Sequence, residues 1–458
     1  MTVVCIVTHT EEPNITYSAE MQISELSLRG HDNTLGWNAK DIALLLSATF
    51  YGGLLTAFWS GYLSDRFAPK FVILFGVIGC VIVTGFTPLL AESNFLALFI
   101  ARVVMGLGED FINPAQASFI NRWYTPVEMT TVGSFTLTGK ALAGTVGFPV
   151  SSRLCQMQDY GGWKLAFYIF SGFGGIWVII WFLYASNIPS HHKYISKEEE
   201  SHIQTELKEL DLNHNPKTIK LYYGSVPWKA ICTSRAIFIN LICQFTFCFS
   251  EAILSAYLPT YLSQVMRVSL NMNGFLAMLT CIIQLIFQVI FGILTDYNLK
   301  KGYYSPTTAC KIFQTIENIL CALAYFGLGF MVNKNSVVLG VMFLILNGIG
   351  IAASVSGFMS SQPSLAPQYA GIVSSVLRIA AALGALAAIN VVNFVNKGGT
   401  DEQWRLIWTI AAGLNLVTVV IFLSAGTAET QDWAKNEPPK HLMKDKKELI
   451  CIEKASAV

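Results

Sequence analysis

The chain has 458 residues, 53% of them apolar or aromatic and only 13% Asp, Glu, Lys or Arg, about half the roughly 25% charged content of soluble domains. That balance excludes a soluble enzyme, and a net charge of +1 offers neither a basic surface for nucleic acid nor an acidic tail for a basic partner. The partner it implies is a lipid bilayer.

Residues 1 to 8 are apolar but too short to span, and they lack the positive start and small-residue cleavage site of a signal peptide. A polar segment, 11 to 40, follows, with Asn14-Ile-Thr16 as a glycosylation sequon. Eleven stretches then approach the roughly 20 apolar residues that cross a hydrocarbon core, where backbone groups must bond within the helix. They run 41–63, 71–91, 95–119, 131–153, 165–185, 236–259, 272–294, 310–332, 336–358, 369–394 and 405–425. The expected fold is an all-α polytopic membrane protein. Between the fifth and sixth spans lies a charged linker, 186–235, in which Ser196 and the glutamates after it read as a capped, solvated helix. The tail, 426–458, holds Asp445-Lys-Lys-Glu-Leu449-Ile450, an acidic dileucine pattern of the kind that sorts proteins to endosomes and lysosomes. Ten cysteines, with no C-x-x-C among them, read as small core side chains and not as disulfides or a zinc site.

Gly61-x-x-x-Asp65, followed by Arg66, closes one span, and Gly292-x-x-x-Asp296 closes another in the second half of the chain. A complete span, 236–259, precedes the one that carries the second copy, whereas only the 1–8 stub stands in that place in the first half. The expected architecture is therefore two six-helix bundles, 1–185 and 236–425, with helix 1 truncated and 11 complete spans. Lys and Arg fix the orientation. The linker carries Lys193, Lys197, Lys208, Lys217, Lys220, Lys229 and Arg235, and the tail runs from Lys435 to Lys454. Both face the cytoplasm, which leaves the 11–40 loop outside or in a lumen.

These features resemble the major facilitator superfamily, and the finer runs resemble its anion:cation symporter family of sodium-phosphate, sialin and vesicular glutamate transporters. The runs are Phe50-Tyr-Gly52, Gly61-Tyr-Leu-Ser-Asp-Arg-Phe67, Arg102-x-x-x-Gly106-Leu-x-Glu109, Pro114-Ala115, Trp123-x-x-Pro126, Pro227-Trp-Lys229, Leu258-Pro-Thr-Tyr-Leu262 and Ala366-Pro-x-Tyr-Ala-Gly371, in the family's order. Departures accompany the likeness. Leu46 and Phe247 stand where glutamate transporters carry a histidine and an arginine, which disfavours glutamate. Asp110 replaces the family's Gly, and Arg378 its Asn. The resemblance implies a secondary transporter of an organic or inorganic anion, coupled to H⁺ or Na⁺, in the plasma membrane or an endolysosomal or vesicle membrane. The rival reading is a non-transporting relative that acts as a sensor or partner subunit.

Arg102, Glu109, Asp110, Lys140, Glu251 and Arg378 fall within spans, with Glu317 nearer an end. Each mid-membrane charge costs at least about 2.5 kcal/mol on insertion scales, so such residues face one another or water and mark function. Arg102 and Glu109 lie two helical turns apart on one face, with Gly106 and Gly108 keeping the surface between them low. Arg102, whose planar fork suits carboxylate or phosphate, is the expected anion-binding group, with Lys140 and Arg378 as further candidates. Glu109 is the expected coupling carboxylate and Glu251 a second, although Glu251 paired with Arg378 is an equal alternative. Gly61, Asp65, Arg66, Gly292 and Asp296 are the expected gate. No cofactor or metal is implied, and the absence of a P-loop run excludes an ATP-driven pump of that class.

Overall fold

The computed structural model describes residues 39–66, 68–123, 126–157, 162–187, 227–268, 270–334, 336–366 and 370–434, with 192, 195, 196, 198, 199 and 201 from the linker. The 1–8 stub, Asn14 and the 445–450 run lie outside the described residues, as do the side chains of Gly61, Asp65 and Arg66.

Every expected span is a helix. In chain order these are α1 (Ala39–Arg66), α2 (Pro69–Ser93), α3 (Phe95–Trp123), α4 (Pro126–Gln156), α5 (Trp163–Tyr184), the short α6 (Trp228–Thr233), α7 (Arg235–Gln264), α8 (Leu270–Lys300), α9 (Pro306–Phe330), α10 (Val337–Leu365), α11 (Ala370–Val395) and α12 (Asp401–Ala425). Among the described residues, eight are long and apolar enough to cross a membrane. The other three long ones, α1, α3 and α4, hold most of the polar positions of the first half. Ends follow ordinary capping chemistry. Proline opens α2 and α9, where the first N–H has no helical partner. Thr400 and Gln403 form a reciprocal capping box at the start of α12.

Within the first half, α3 packs on α1 and α2, and α5 on α2 and α4; within the second, α10 packs on α8 and α9, and α12 on α9 and α11. The same contacts thus recur with α1 to α5 answering to α8 to α12, the order that the repeated G-x-x-x-D run marks in sequence. α7, which packs on α11 and α12, has no counterpart among the described residues. The halves meet along α4 with α8 and α1 with α11.

That meeting is closed on the side away from the linker. Ala43, Leu46 and Phe50 of α1 and Phe148 of α4 join the second half's core around Tyr257 and Leu258. Gly274 of α8 lies so close to α4 that a Cβ there would stand 2.7 Å from Ser152 Cβ. On the linker side, hydrogen bonds among the described residues stay within a half. Lys70 Nζ donates to Phe182 O at 2.9 Å and Trp123 Nε1 to Ser186 O at 2.9 Å in the first. Gln431 N donates to Leu365 O at 2.9 Å and Ala428 N to Thr307 Oγ1 at 3.1 Å in the second.

Two membrane helices contain a π turn, and one of them is kinked there. α7 loosens into a π turn at Ile253–Tyr257, and α10 does so at Val355–Met359, where Gly357 has φ −85° and ψ −123°. Gln314 Oε1 of α9 accepts from Phe358 N at 2.9 Å and so satisfies a backbone group freed by the kink. Such turns concentrate at functional sites.

The first G-x-x-x-D run closes α1, which ends at Arg66, whereas α8 continues past the second run to Lys300. Three expectations need correction. Glu317 stands near the middle of α9, since that helix begins at Pro306. The first residues of the tail are part of the fold, with Trp433 and Ala434 packed against Ile231 and Ala236. Cys155 is disulfide-bonded, whereas Cys80, Cys232, Cys243, Cys248, Cys281, Cys310 and Cys321 are free.

Candidate functional site

Two ion pairs join the halves at mid-membrane depth. Lys140 of α4 donates to Glu251 Oε1 of α7 at 2.5 Å. Arg378 of α11 places Nε and Nη2 on Asp110 Oδ1 of α3, at 3.0 and 2.7 Å. The other Asp110 oxygen accepts from Thr56 of α1 at 3.5 Å. The pairs differ in setting. The Lys140 side chain is 71% exposed, whereas the Asp110 side chain is 5% exposed. Glu251 thus pairs with Lys140 and not with Arg378, and Asp110 compensates the extra arginine. Glu251 also precedes the π turn of α7 by two residues, so movement at that turn would be felt at the pair.

Arg102 is set apart from both. Its guanidinium lies 5.9 Å from the centre of the Phe167 ring of α5, and its buried Nε has no hydrogen-bond partner. No carboxylate stands within ion-pair distance of it among the described residues. Glu109 acts on it electrostatically from further along α3 and is itself exposed. Two cations of the inner face are thereby neutralised by protein carboxylates while Arg102 keeps an unused donor.

The glycines between Arg102 and Glu109 do other work than expected. A Cβ on Gly106 would fall 2.1 Å from Thr49 O, and one on Gly52 would fall 2.1 Å from Val103 O, so α1 and α3 touch backbone to backbone. Gly108 packs in the same way against Gly76 of α2. Their smallness serves helix contact. Among the residues expected to gate, Gly292 has open space where a Cβ would stand, with no atom within 4 Å, and Asp296 is exposed without an ion pair among the described residues. Sequence reasoning missed Gln244 and Gln362, whose amides bond at 3.0 Å and connect Cys248, beside the Lys140–Glu251 pair, to α10. Polar residues in a membrane helix were the available signal.

Among the described residues the protein is all-helical, in two repeated halves joined by ion pairs, an architecture that secondary transporters share. The profile of the Major Facilitator Superfamily matches residues 17–389, and the chain belongs to that superfamily and, within it, to the anion:cation symporter family. It is 31% identical over 93% of its length to the uncharacterized transporter slc-17.3 of Caenorhabditis elegans, covering 78% of that protein. Human sialin is 27% identical, over 90% of this chain and 82% of sialin. Sodium-dependent phosphate transport protein 3 of Mus musculus is 26% identical, over 87% of this chain and 81% of that one. A crystal structure of a D-xylose-proton symporter superposes with a TM-score of 0.64 at 11% identity, over 86% of this chain and 90% of that one, and shares the fold. The protein is a multi-pass integral membrane transporter and not an enzyme.

Proposed function

We propose that the protein is a secondary active transporter of a small organic or inorganic anion, coupled to H⁺ or Na⁺. The observation that carries this reading is Arg102, a membrane-embedded guanidinium with a buried free donor and no carboxylate partner among the described residues. An unpaired cation in that setting is retained against its cost when a ligand supplies the missing charge. Relatedness to a protein named for sodium-dependent phosphate transport supports an anionic substrate.

An anion reaching Arg102 would weaken the pull of Arg102 on Glu109. The carboxylate then gains or releases its coupling cation as the substrate arrives or leaves. Lys140–Glu251 and Arg378–Asp110 break and re-form as the halves rock, so they govern the exchange between conformations.

Arg102→Lys is expected to lose most anion uptake while the protein still reaches the membrane, because an ammonium is a point charge without the bidentate fork. Uptake equal to wild type would remove Arg102 from the site. Glu109→Gln keeps the shape and fixes the neutral form. It is expected to abolish gradient-driven accumulation yet preserve exchange of labelled for unlabelled substrate; unchanged accumulation would assign coupling elsewhere.

A further inference from the structure

The cation that carries the transport reading is met by an aromatic ring. The Arg102 guanidinium carbon stands 5.9 Å from the centre of the Phe167 ring of α5, over its face. No carboxylate pairs with that guanidinium among the described residues. The ring itself is fixed by packing. Phe167 is 8% exposed, and Trp163, one turn earlier on α5, meets it edge-on, with ring centres 6.0 Å apart and planes at 89°. Leu98, one turn before Arg102 on α3, lies in the same buried cluster as both rings, with Ala91 of α2 and Cys155 of α4. Four helices thus set where the face of Phe167 stands.

An aromatic face attracts a cation through its quadrupole, and more strongly where water is excluded. It does so without neutralising the charge. A carboxylate in the same place would hold the guanidinium harder, and an arriving anion would have to displace it. Such a competitor exists within the helix: Glu109, two turns along α3, acts on Arg102 electrostatically. A guanidinium that swung toward Glu109 would satisfy its own charge and be lost to a ligand. Apparent affinity falls in proportion to the fraction of molecules in which the site is so occupied. The fixed ring counters that loss while leaving the buried Nε of Arg102 unbonded.

We propose that Phe167 is the positioning residue of the anion site: its ring face holds the Arg102 guanidinium away from Glu109, charged and open to an anion. The inference rests on the reading of Arg102 as the anion-binding group, and it assigns Phe167 no contact with the substrate.

The test replaces Phe167 of the full chain by phenylalanines carrying one, two or three ring fluorines, which drain negative charge from the ring face in steps while nearly keeping its shape. Exchange of labelled for unlabelled inorganic phosphate, and of a panel of labelled carboxylates, across liposomes gives KM and Vmax separately. For a probe that the wild type exchanges, KM is expected to rise with each fluorine, by about threefold or more at three, with Vmax within about twofold of wild type. Phe167→Leu should raise KM at least as far. A ring that only fills space would leave the fluorinated series flat, and a flat or falling KM overturns the proposal. Because that series is nearly isosteric, it decides even if Phe167→Leu fails to fold. Arg102→Lys in the same assay separates the two claims. An unchanged KM in Arg102→Lys, or no exchange of any probe by folded wild type, overturns the anion reading and Phe167's role with it. A raised KM in Arg102→Lys beside a flat fluorinated series overturns Phe167's role alone.

Discussion

Arg378→Asn alone is expected to destabilise the protein by roughly 3–5 kcal/mol, the usual effect of stripping one partner from a buried ion pair. The Asp110 side chain is 5% exposed and receives both Arg378 contacts on one oxygen, so the variant leaves a carboxylate with only the long Thr56 bond. Adding Asp110→Gly removes the stranded charge and gives both positions the residues that the family carries. Glycine within a helix costs about 1 kcal/mol, so the double variant should regain most, but not all, of the loss. Thermal unfolding of the wild type and the two variants, purified in one detergent, provides the measurement. A single variant as stable as wild type would show that the pair does not hold the halves; a double variant no better than the single would show that Arg378 acts through another group.

Gly106→Ala is expected to be more severe. Its Cβ would lie 2.1 Å from Thr49 O, 2.7 Å from Thr49 C and 2.8 Å from Thr49 Cα, all backbone atoms of α1. No rotamer change relieves such a clash. α1 and α3 would have to separate along a contact that also carries Gly52 and Val103, and the expected result is loss of the monodisperse peak in size-exclusion chromatography. Gly139→Ala on α4, with nothing within 4 Å, is the control and should elute like wild type. A monodisperse Gly106→Ala protein would contradict the close packing of these two helices.

The spans were legible because a bilayer imposes one rule on the backbone, and long apolar runs separated by charged loops leave few other solutions. The repeat was legible through the two G-x-x-x-D runs, and the equivalence of α1 to α5 with α8 to α12 follows the register that they mark. Asp110 and Arg378 each stand out as departures from the family pattern, but that they pair with one another was not legible, since Glu251 was an equal candidate partner for Arg378. Lys140 with Glu251 could not be assigned, since the partners lie on different helices of different halves and helical spacing carries no information across that gap. Gly106 shows the same limit. Its smallness is visible in sequence, but whether it makes room for a ligand or for Thr49 depends on a neighbour that only packing supplies. Glu317 was read too near an end because α9 starts four residues before the apolar stretch does, at Pro306, which moves the carboxyl to the middle.

The most direct test of anion transport through Arg102 uses purified protein in liposomes under an imposed pH or Na⁺ gradient, with labelled inorganic phosphate and a panel of labelled carboxylates, the anions that a guanidinium fork suits, as probes. The expected result is gradient-driven accumulation of at least one probe, which collapses in Arg102→Lys. No accumulation of any probe by folded wild-type protein, or accumulation of equal size in Arg102→Lys, would contradict it.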